Sequence, residues 1–456
     1  MRKIIKKQMS LMSINNIDHP KTLEFKGINK ILDDNPIIYE MVFQDLISDK
    51  PGPSGAIGMT AEQVVRAAVI KQMEGFAYED LAYHIIDSCT YRNFCKIGFA
   101  DKGFKKSALN KNIKAISPET WEAINRIIIA YSQSKNIEKG RKIRIDCTVV
   151  CSNIHDPSDS SLIFDSIRVI TRILKQTNEQ FQGLNLSFSD HTKVAKRRNL
   201  RIMNSNKTKH KPLYKNLIAY AEKVISYAST AMQILSDYPF ENGYQISAAL
   251  KIKNNLNDII NLTRKVIDQA TRRVINEESV PANEKIVSIF EPHTDIIRKD
   301  RRDTYYGHKI CLSGGPSNLI TDCSILEGNP ADTTLVETML DRHNDVYGHY
   351  PLKVALDGGF ASKANLESVK IRGVKDACFA KKKGLHIADM CRSTYVYKKL
   401  RNFRAGIESG ISWLKRCFGL DTCTWKTFQS FKSYVWASIV SANLMTLTRK
   451  LTVQTT

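Results

Sequence analysis

The stretch Arg141-Lys-Ile-Arg-Ile-Asp146-Cys-Thr-Val-Val150 decides the class of this chain. Before it, apolar residues recur at helical spacing; here the period drops to two and β-branched residues crowd together, as in a strand. A strand following a helical stretch makes the protein α/β instead of all-α. Asp146 interrupts that strand. An ionised carboxylate in a central strand is costly unless it is paired or binds a metal, so the position points to function. The plain alternative is an Asp at a strand end, paired with a neighbour.

Upstream, residues 1–58 are polar and irregular and close on Pro51-Gly-Pro-Ser-Gly55, which cannot sustain a helix. They are expected to form an arm and linker. Residues 59–135 read as an all-α domain. Val64, Val65, Ala68, Val69 and Met73 share one face, Gly75 breaks the pattern, and Ser117-Pro-Glu opens a later helix with a cap, a first-turn proline and an acid suited to the dipole. Short helices joined by tight turns in a basic protein suggest a helix-turn-helix-like DNA reader.

Downstream, residues 158–290 read as a long helical insertion. One helix carries Leu162, Ile163, Ile167, Ile170 and Leu174; a second carries Leu217, Ala221, Val224, Ala228 and Leu235; a third carries Leu256, Ile259, Ile260, Ile267, Ala270 and Val274. Between the first two, Lys193, Lys196, Arg197, Arg198, Arg201, Lys207, Lys209, Lys211 and Lys215 form a run without one acid. Like charges so packed repel each other without a counter-polyanion. The run is expected to be a mobile loop that orders on DNA.

Strands resume over residues 306–313 and 319–326, joined by a Gly314-Gly-Pro-Ser hairpin turn. Leu352-Lys-Val-Ala-Leu-Asp357-Gly-Gly-Phe is an apolar strand ending in Asp, at the carboxyl end where open α/β sheets place their ligands. Residues 401–419 follow as one helix. At about 100° per residue, Arg401, Arg404, Glu408 and Lys415 fall in a stripe roughly 60° wide, beside an apolar stripe of Phe403, Ile407, Ile411, Leu414 and Phe418. One carboxylate in a column of cations suits a phosphate backbone; an ordinary surface helix with i,i+4 pairs such as Arg404–Glu408 is the alternative. The apolar stretch 434–447 reads as a core helix, too short and polar to span a membrane.

The whole chain agrees with a polyanion partner. Its 456 residues suffice for two or three domains, and Lys+Arg 68 against Asp+Glu 46 gives a net charge of +22, which favours nucleic acid over a small substrate. The ten cysteines never occur as C-x-x-C, so they read as reduced thiols and not as zinc ligands. No signal peptide or membrane span is visible, and a cytoplasmic, nucleoid-associated location is expected.

Asp146, Asp357 and Glu408 thus stand on different elements of one α/β domain. Hard oxygen ligands of this kind suit Mg²⁺ or Mn²⁺. Two such ions about 4 Å apart can activate an attacking oxygen and stabilise the leaving one in a phosphodiester displacement. No nucleophile-elbow sequence supports a Ser-His-Asp reading, and His155 and His308 read as structural.

Five stretches carry a resemblance to a known family: Arg144-Ile-Asp-Cys-Thr-Val-Val, Phe290-Glu-Pro-His-Thr-Asp295, Tyr306-Gly-His-Lys309, Ala355-Leu-Asp-Gly-Gly-Phe-Ala-Ser362, and Phe403-Arg-Ala-Gly-Ile-Glu-Ser-Gly-Ile-Ser-Trp-Leu-Lys415. The chain resembles the DDE transposases of bacterial insertion sequences, and within them the ISNCY-like group with a long helical insertion. The last stretch matches Tyr-x2-Arg-x3-Glu-x6-Lys at Arg404, Glu408 and Lys415, with Arg401 in place of Tyr.

The resemblance implies an RNase H-like mixed sheet, residues 136–157 plus 291–440, interrupted by the all-α insertion 158–290 and preceded by the all-α domain 59–135, with 441–456 as a C-terminal tail. It implies that Asp146, Asp357 and Glu408 are catalytic and hold two Mg²⁺ ions, with Mn²⁺ as a substitute. Double-stranded DNA, at element ends and target, would be contacted by Arg401, Arg404, Lys415, Lys309 and, in the insertion, Lys193, Lys196, Arg197, Arg198 and Arg201. A homodimer is expected in the synaptic complex, and no membrane partner. The rival readings are an RNase H-like nuclease that cuts without joining and an inactive DNA-binding regulator.

Overall fold

The computed structural model describes residues 19–48, 58–98, 101–181, 183–299, 303–381 and 383–455. The expected linker Pro51-Gly-Pro-Ser-Gly55 lies outside them. Helices α1 (Pro20–Asp33), α2 (Ile37–Ile47), α3 (Ala61–Glu74), α4 (Tyr78–Asp87), α5 (Cys89–Phe94), α6 (Lys106–Ala115) and α7 (Pro118–Ser134) come first. As the sequence suggests, Gly75 ends α3 at φ 67°, and the Ser117 hydroxyl accepts the Thr120 N–H at 3.1 Å to start α7. The irregular arm expected before residue 59 is corrected by α1 and α2. Their prolines start helices instead of breaking them: Pro20 sits in the first turn of α1 and Pro36 caps α2, where the missing N–H costs nothing. Phe25, Ile28, Ile31 and Leu32 then bury one stripe of α1. Arg66, fully buried on α3, ties that layer together through Asn29, Asp33 and Tyr39.

The long strand β1 (Lys142–Ser152) lies at the centre of a mixed sheet. The chain then leaves the sheet for α8 (Asp159–Gln180), α9 (Thr192–Met203), α10 (His210–Asp237) and α11 (Gly243–Ala270), the last closed by a π turn over Thr271–Ile275. These helices bury a core of their own, including Leu162, Ile170, Leu217, Val224, Leu256 and Val266. The basic run is corrected here: residues 192–203 are helical, and α10 begins at His210. Ala195, Asn199 and Ile202 give α9 a buried face at i, i+4, i+7, a short stripe that the surrounding lysines and arginines hide in the sequence.

β2 (Asp295–Lys299), β3 (Asp303–Gly314) and β4 (Ile320–Ile325) bring the chain back. They are followed by α12 (Val336–Tyr347), β5 (Lys353–Leu356), α13 (Lys363–Ile371), β6 (Asp376–Phe379), α14 (Ile387–Met390), α15 (Thr394–Cys417), β7 (Thr422–Cys423) and α16 (Phe428–Thr455). The main path runs β2-β3-β1-β5-β6, with β4 also on β3 and β7 also on β1. One edge of β1 meets β3 antiparallel; the other meets β5 in parallel over residues 142–145 and β7 over 151–152. Between β5 and β7, residues 146–150 of β1 have no strand on that edge among the described residues, and Asp146 to Val149 line a cleft there.

Glu291, His293, His308 and Asp295 pin the returning chain. The His293 Nδ1 and His308 Nε2 atoms lie 2.8 Å apart, and each ring's other nitrogen meets a carboxylate, Glu291 at 2.9 Å and Asp295 at 3.0 Å. Glu291 also accepts the Thr427 N–H at 2.9 Å, just before α16. One sheet face packs with α12, α13 and α14; the other packs with α15, α16 and the N-terminal helices. Residues 441–455, expected as a tail, continue α16, with Ala442, Leu444 and Leu447 buried. Among the described residues, no helix is long and apolar enough to cross a membrane.

Candidate active site

The register of the parallel pair explains how two distant acids become neighbours. Ile145 of β1 aligns with Leu356 at the end of β5, so the next residues, Asp146 and Asp357, stand side by side. Because side chains alternate along a strand, Asp146 shares its face with Arg144 and Thr148, the face that α15 covers. Glu408 lies on α15, whose Ile407, Ile411 and Leu414 are buried as the apolar stripe predicts.

Arg144 fixes the distance between helix and sheet. Its guanidinium donates to the Phe403 carbonyl at 3.0 Å and to Asn318 Oδ1 at 2.6 Å, and stacks on the Phe403 ring. A Cβ on Gly406 would meet Arg144 Nη1 at 1.9 Å. Glycine at that position lets α15 come this close.

The three carboxylates gather around a guanidinium. Arg404 Nη1 lies 3.5 Å from Asp146 Oδ2 and 3.3 Å from Asp357 Oδ1, while Nη2 lies 2.6 Å from Glu408 Oε1. Asp146 Oδ1 also accepts the Cys147 N–H at 2.8 Å. The Asp146 carboxyl is raised to about 6, chiefly by burial, with Asp357 and Glu408 acting in the same direction and the Cys147 N–H and Arg404 opposing. Among the described residues, no three His, Cys, Asp or Glu side chains converge as ligands of one ion. The donor set nonetheless fits hard divalent cations: the acids are oxygen ligands, and a cationic group already stands among them as a stand-in.

Asp146, Asp357 and Glu408 line a cleft of about 980 Å3 with Lys309, Lys415 and Arg416. Lys415 lies 3.3 Å from Asp421. Lys309 is mostly buried, donating to the Pro330 carbonyl and pairing with Asp332, both at 2.6 Å. Arg401 is exposed on α15 and does not line the cleft. Lys193, Lys196, Arg197 and Arg201 are exposed on α9, with Arg198 half-buried.

Sequence reasoning missed Asp332, Asp421, Arg298 and Arg416, all of which line the cleft. Asp332 reaches close to Asp357's loop: a Cβ on Gly359 would lie 2.3 Å from its Oδ2. Asp421 precedes β7, where its carbonyl accepts the Cys151 N–H at 2.9 Å. Neither acid lies in a periodic stretch: the pairing of β7 with β1 brings Asp421 to the site, and Lys309 holds Asp332 there.

A mixed sheet with one acid on a strand, a second just past the end of its neighbour and a third on the helix that covers them defines an α/β domain with a carboxylate centre in a cleft lined by acids and cations together. Residues 288–444 match the family of the transposase DDE domain, and over that segment the chain is similar to transposases of the DDE class. The matched segment begins as the chain returns from the helical insertion and holds Asp357 and Glu408. Asp146 lies before it and joins them through the pairing of β1 with β5. No curated protein and no solved structure matches the chain.

Proposed function

We propose that the protein is an RNase H-like DDE transposase that binds the ends of its insertion sequence as double-stranded DNA, cuts there, and joins the freed 3′-hydroxyls to target DNA. The observation that carries this reading is the meeting of Asp146, Asp357 and Glu408 around Arg404, at a cleft that Lys309, Lys415 and Arg416 also line. The interruption of the sheet between β1 and β2 by α8–α11 supports placement in the ISNCY-like group.

Asp146, Asp357 and Glu408 would hold two Mg²⁺ ions, or Mn²⁺ in their place, which supply Lewis-acid activation of the attacking oxygen and charge stabilisation of the leaving one. The residues around them position DNA. Lys415 and Arg416, on the cleft wall, bind backbone phosphates beside the scissile bond, and Arg404 presents a planar fork suited to two phosphate oxygens. Lys309, paired with Asp332 and held by the Pro330 carbonyl, adds an ordered ammonium to the cleft lining. The helices of residues 59–135 read the element ends, and the exposed face of α9 holds flanking duplex by phosphate contacts that position without reading sequence. Each chain offers one carboxylate centre and an element has two ends, so two chains act together in the synaptic complex.

The test is incubation with Mg²⁺ and a plasmid carrying the DNA that flanks the coding region, followed by mapping of nicks and of joined products. Nicks at matched inverted repeats, with transfer of a pre-cut end into a second plasmid, are expected. Nicking without transfer identifies the nuclease, and binding without nicking the regulator.

A further inference from the structure

Arg404 makes more ionic contacts with the carboxylates of the cleft than a phosphate-gripping residue needs. Its guanidinium faces Asp146, Asp357 and Glu408 at 3.5, 3.3 and 2.6 Å, although its side chain keeps only 15% of its exposure. Three carboxylates gathered on one cation repel one another. The shared cation offsets that repulsion and holds acids from β1, β5 and α15 in one place.

Two roles fit a cation so placed, and they differ in geometry. A permanent brace beneath the ligands would leave carboxylate oxygens converging on a point where an ion could sit. A place-holder would turn one oxygen of each carboxylate onto itself and spread the acids by its own width. The second is what the site has: Asp146 Oδ2, Asp357 Oδ1 and Glu408 Oε1 all face Arg404, and among the described residues no three acids converge.

We propose that Arg404 is the resident counter-ion of the ion-free centre, that divalent ions and the guanidinium compete for the same carboxylates, and that the displaced guanidinium moves to a DNA phosphate. This rests on the metal-dependent reading above. Arg404 then links two binding events. Ion binding frees the arginine for DNA, and by linkage DNA, in capturing the arginine, opens the carboxylates to ions; the two enhancements are equal in free energy. Protein without DNA would hold ions weakly, so the centre would assemble where a duplex lies in the cleft.

The experiment uses the full chain as wild type, Arg404→Gln and Arg404→Lys, with folding checked by circular dichroism. Mn²⁺ binding without DNA is followed by electron paramagnetic resonance. Binding of a labelled duplex is measured with EDTA and with Ca²⁺. Arg404→Gln should bind Mn²⁺ about tenfold tighter than wild type, corresponding to about 1.4 kcal/mol, with Arg404→Lys between them. Ca²⁺ should strengthen duplex binding several-fold more for wild type than for Arg404→Gln, in which no guanidinium is freed. Mn²⁺ binding by Arg404→Gln that equals or falls below wild type overturns the proposal and makes Arg404 a brace. Loss of Mn²⁺ binding in all three proteins overturns the metal-dependent reading itself, and the proposal with it.

Discussion

Asn443 of α16 donates from Nδ2 to Oδ1 of Asn125 on α7 at 2.7 Å, with both side chains buried. The same Asn443 accepts the Ile320 N–H at 2.9 Å and donates to the Ile320 carbonyl at 2.8 Å, and Asn125 donates to the Thr321 carbonyl at 3.3 Å. This amide pair occupies the outer edge of β4 and seals it with two helices. Asn443→Leu removes both partners of Ile320 and leaves buried backbone groups unpaired, each at about 1–3 kcal/mol. A loss of several kcal/mol in urea unfolding is expected, against less than about 1 kcal/mol for Ser430→Ala at the start of α16.

The alignment of Ile145 with Leu356 makes a sharp demand on the carboxylates. Asp146→Asn, Asp357→Asn and Glu408→Gln should each lower Mg²⁺-dependent cleavage by well over tenfold, or more than about 1.4 kcal/mol in the barrier, while DNA binding stays near wild type. Cleavage above about a tenth of wild type in Glu408→Gln removes Glu408 from the ligand set.

α9 provides a test of charge without loss of fold. Lys193, Lys196, Arg197 and Arg201 point away from the buried face of Ala195, Asn199 and Ile202, so changing all four to Gln should leave helicity intact. Every phosphate that the protein no longer neutralises flattens the slope of log affinity against log salt by about 0.9. A decrease of roughly two to four units is expected on element ends and random duplex alike. A selective loss on element ends would move sequence recognition into the insertion.

Lys71 carries a pH dependence. It is buried on α3, its ammonium 5.0 Å from the Tyr78 ring centroid. Its pKa is lowered to about 8, chiefly by burial, with the Lys114 charge acting in the same direction and Cys423 opposing. A lysine lowered in the folded state binds fewer protons there than in the unfolded chain between about pH 8 and its ordinary 10.5. Its contribution to stability therefore rises with pH across that window. Lys71→Met should stabilise the protein by up to about 3 kcal/mol at pH 7, and the gain should shrink towards pH 10. Denaturant unfolding at the two pH values checks both parts.

Much of the architecture was legible because periodicity survives in sequence: the helix of Val64 and Val65, the strand of Ile143 and Ile145, and the apolar stripe of Ile407, Ile411 and Leu414 all appear where spacing places them. Helices α1, α2 and α9 were not legible, since prolines at helix starts look like breakers and a three-residue buried face is lost among nine cations. At the site, Asp146, Asp357 and Glu408 stood out as acids in apolar or basic surroundings. Their convergence on Arg404 was hidden, because it depends on the β1–β5 register and on how closely Gly406 lets α15 approach. The sequence Glu291-Pro-His-Thr-Asp295 carried family likeness but no visible purpose; its purpose is a chain of hydrogen bonds to His308.

The burial of α16 also sets an order in time. Ile439, Leu444 and Leu447 pack with α1, α3 and α7, so helices that leave the ribosome early share a core with one that leaves late. Contacts of such sequence separation form slowly and leave apolar surface open during synthesis. A polypeptide cut short before α16 would keep the helices proposed to read DNA but lack the segment that covers them. Such a product should be degraded instead of competing for element ends. Stalled nascent chains offer the check: α3 should resist protease only once Leu447 has emerged, and protection at earlier stall points would show that the N-terminal helices stand without it.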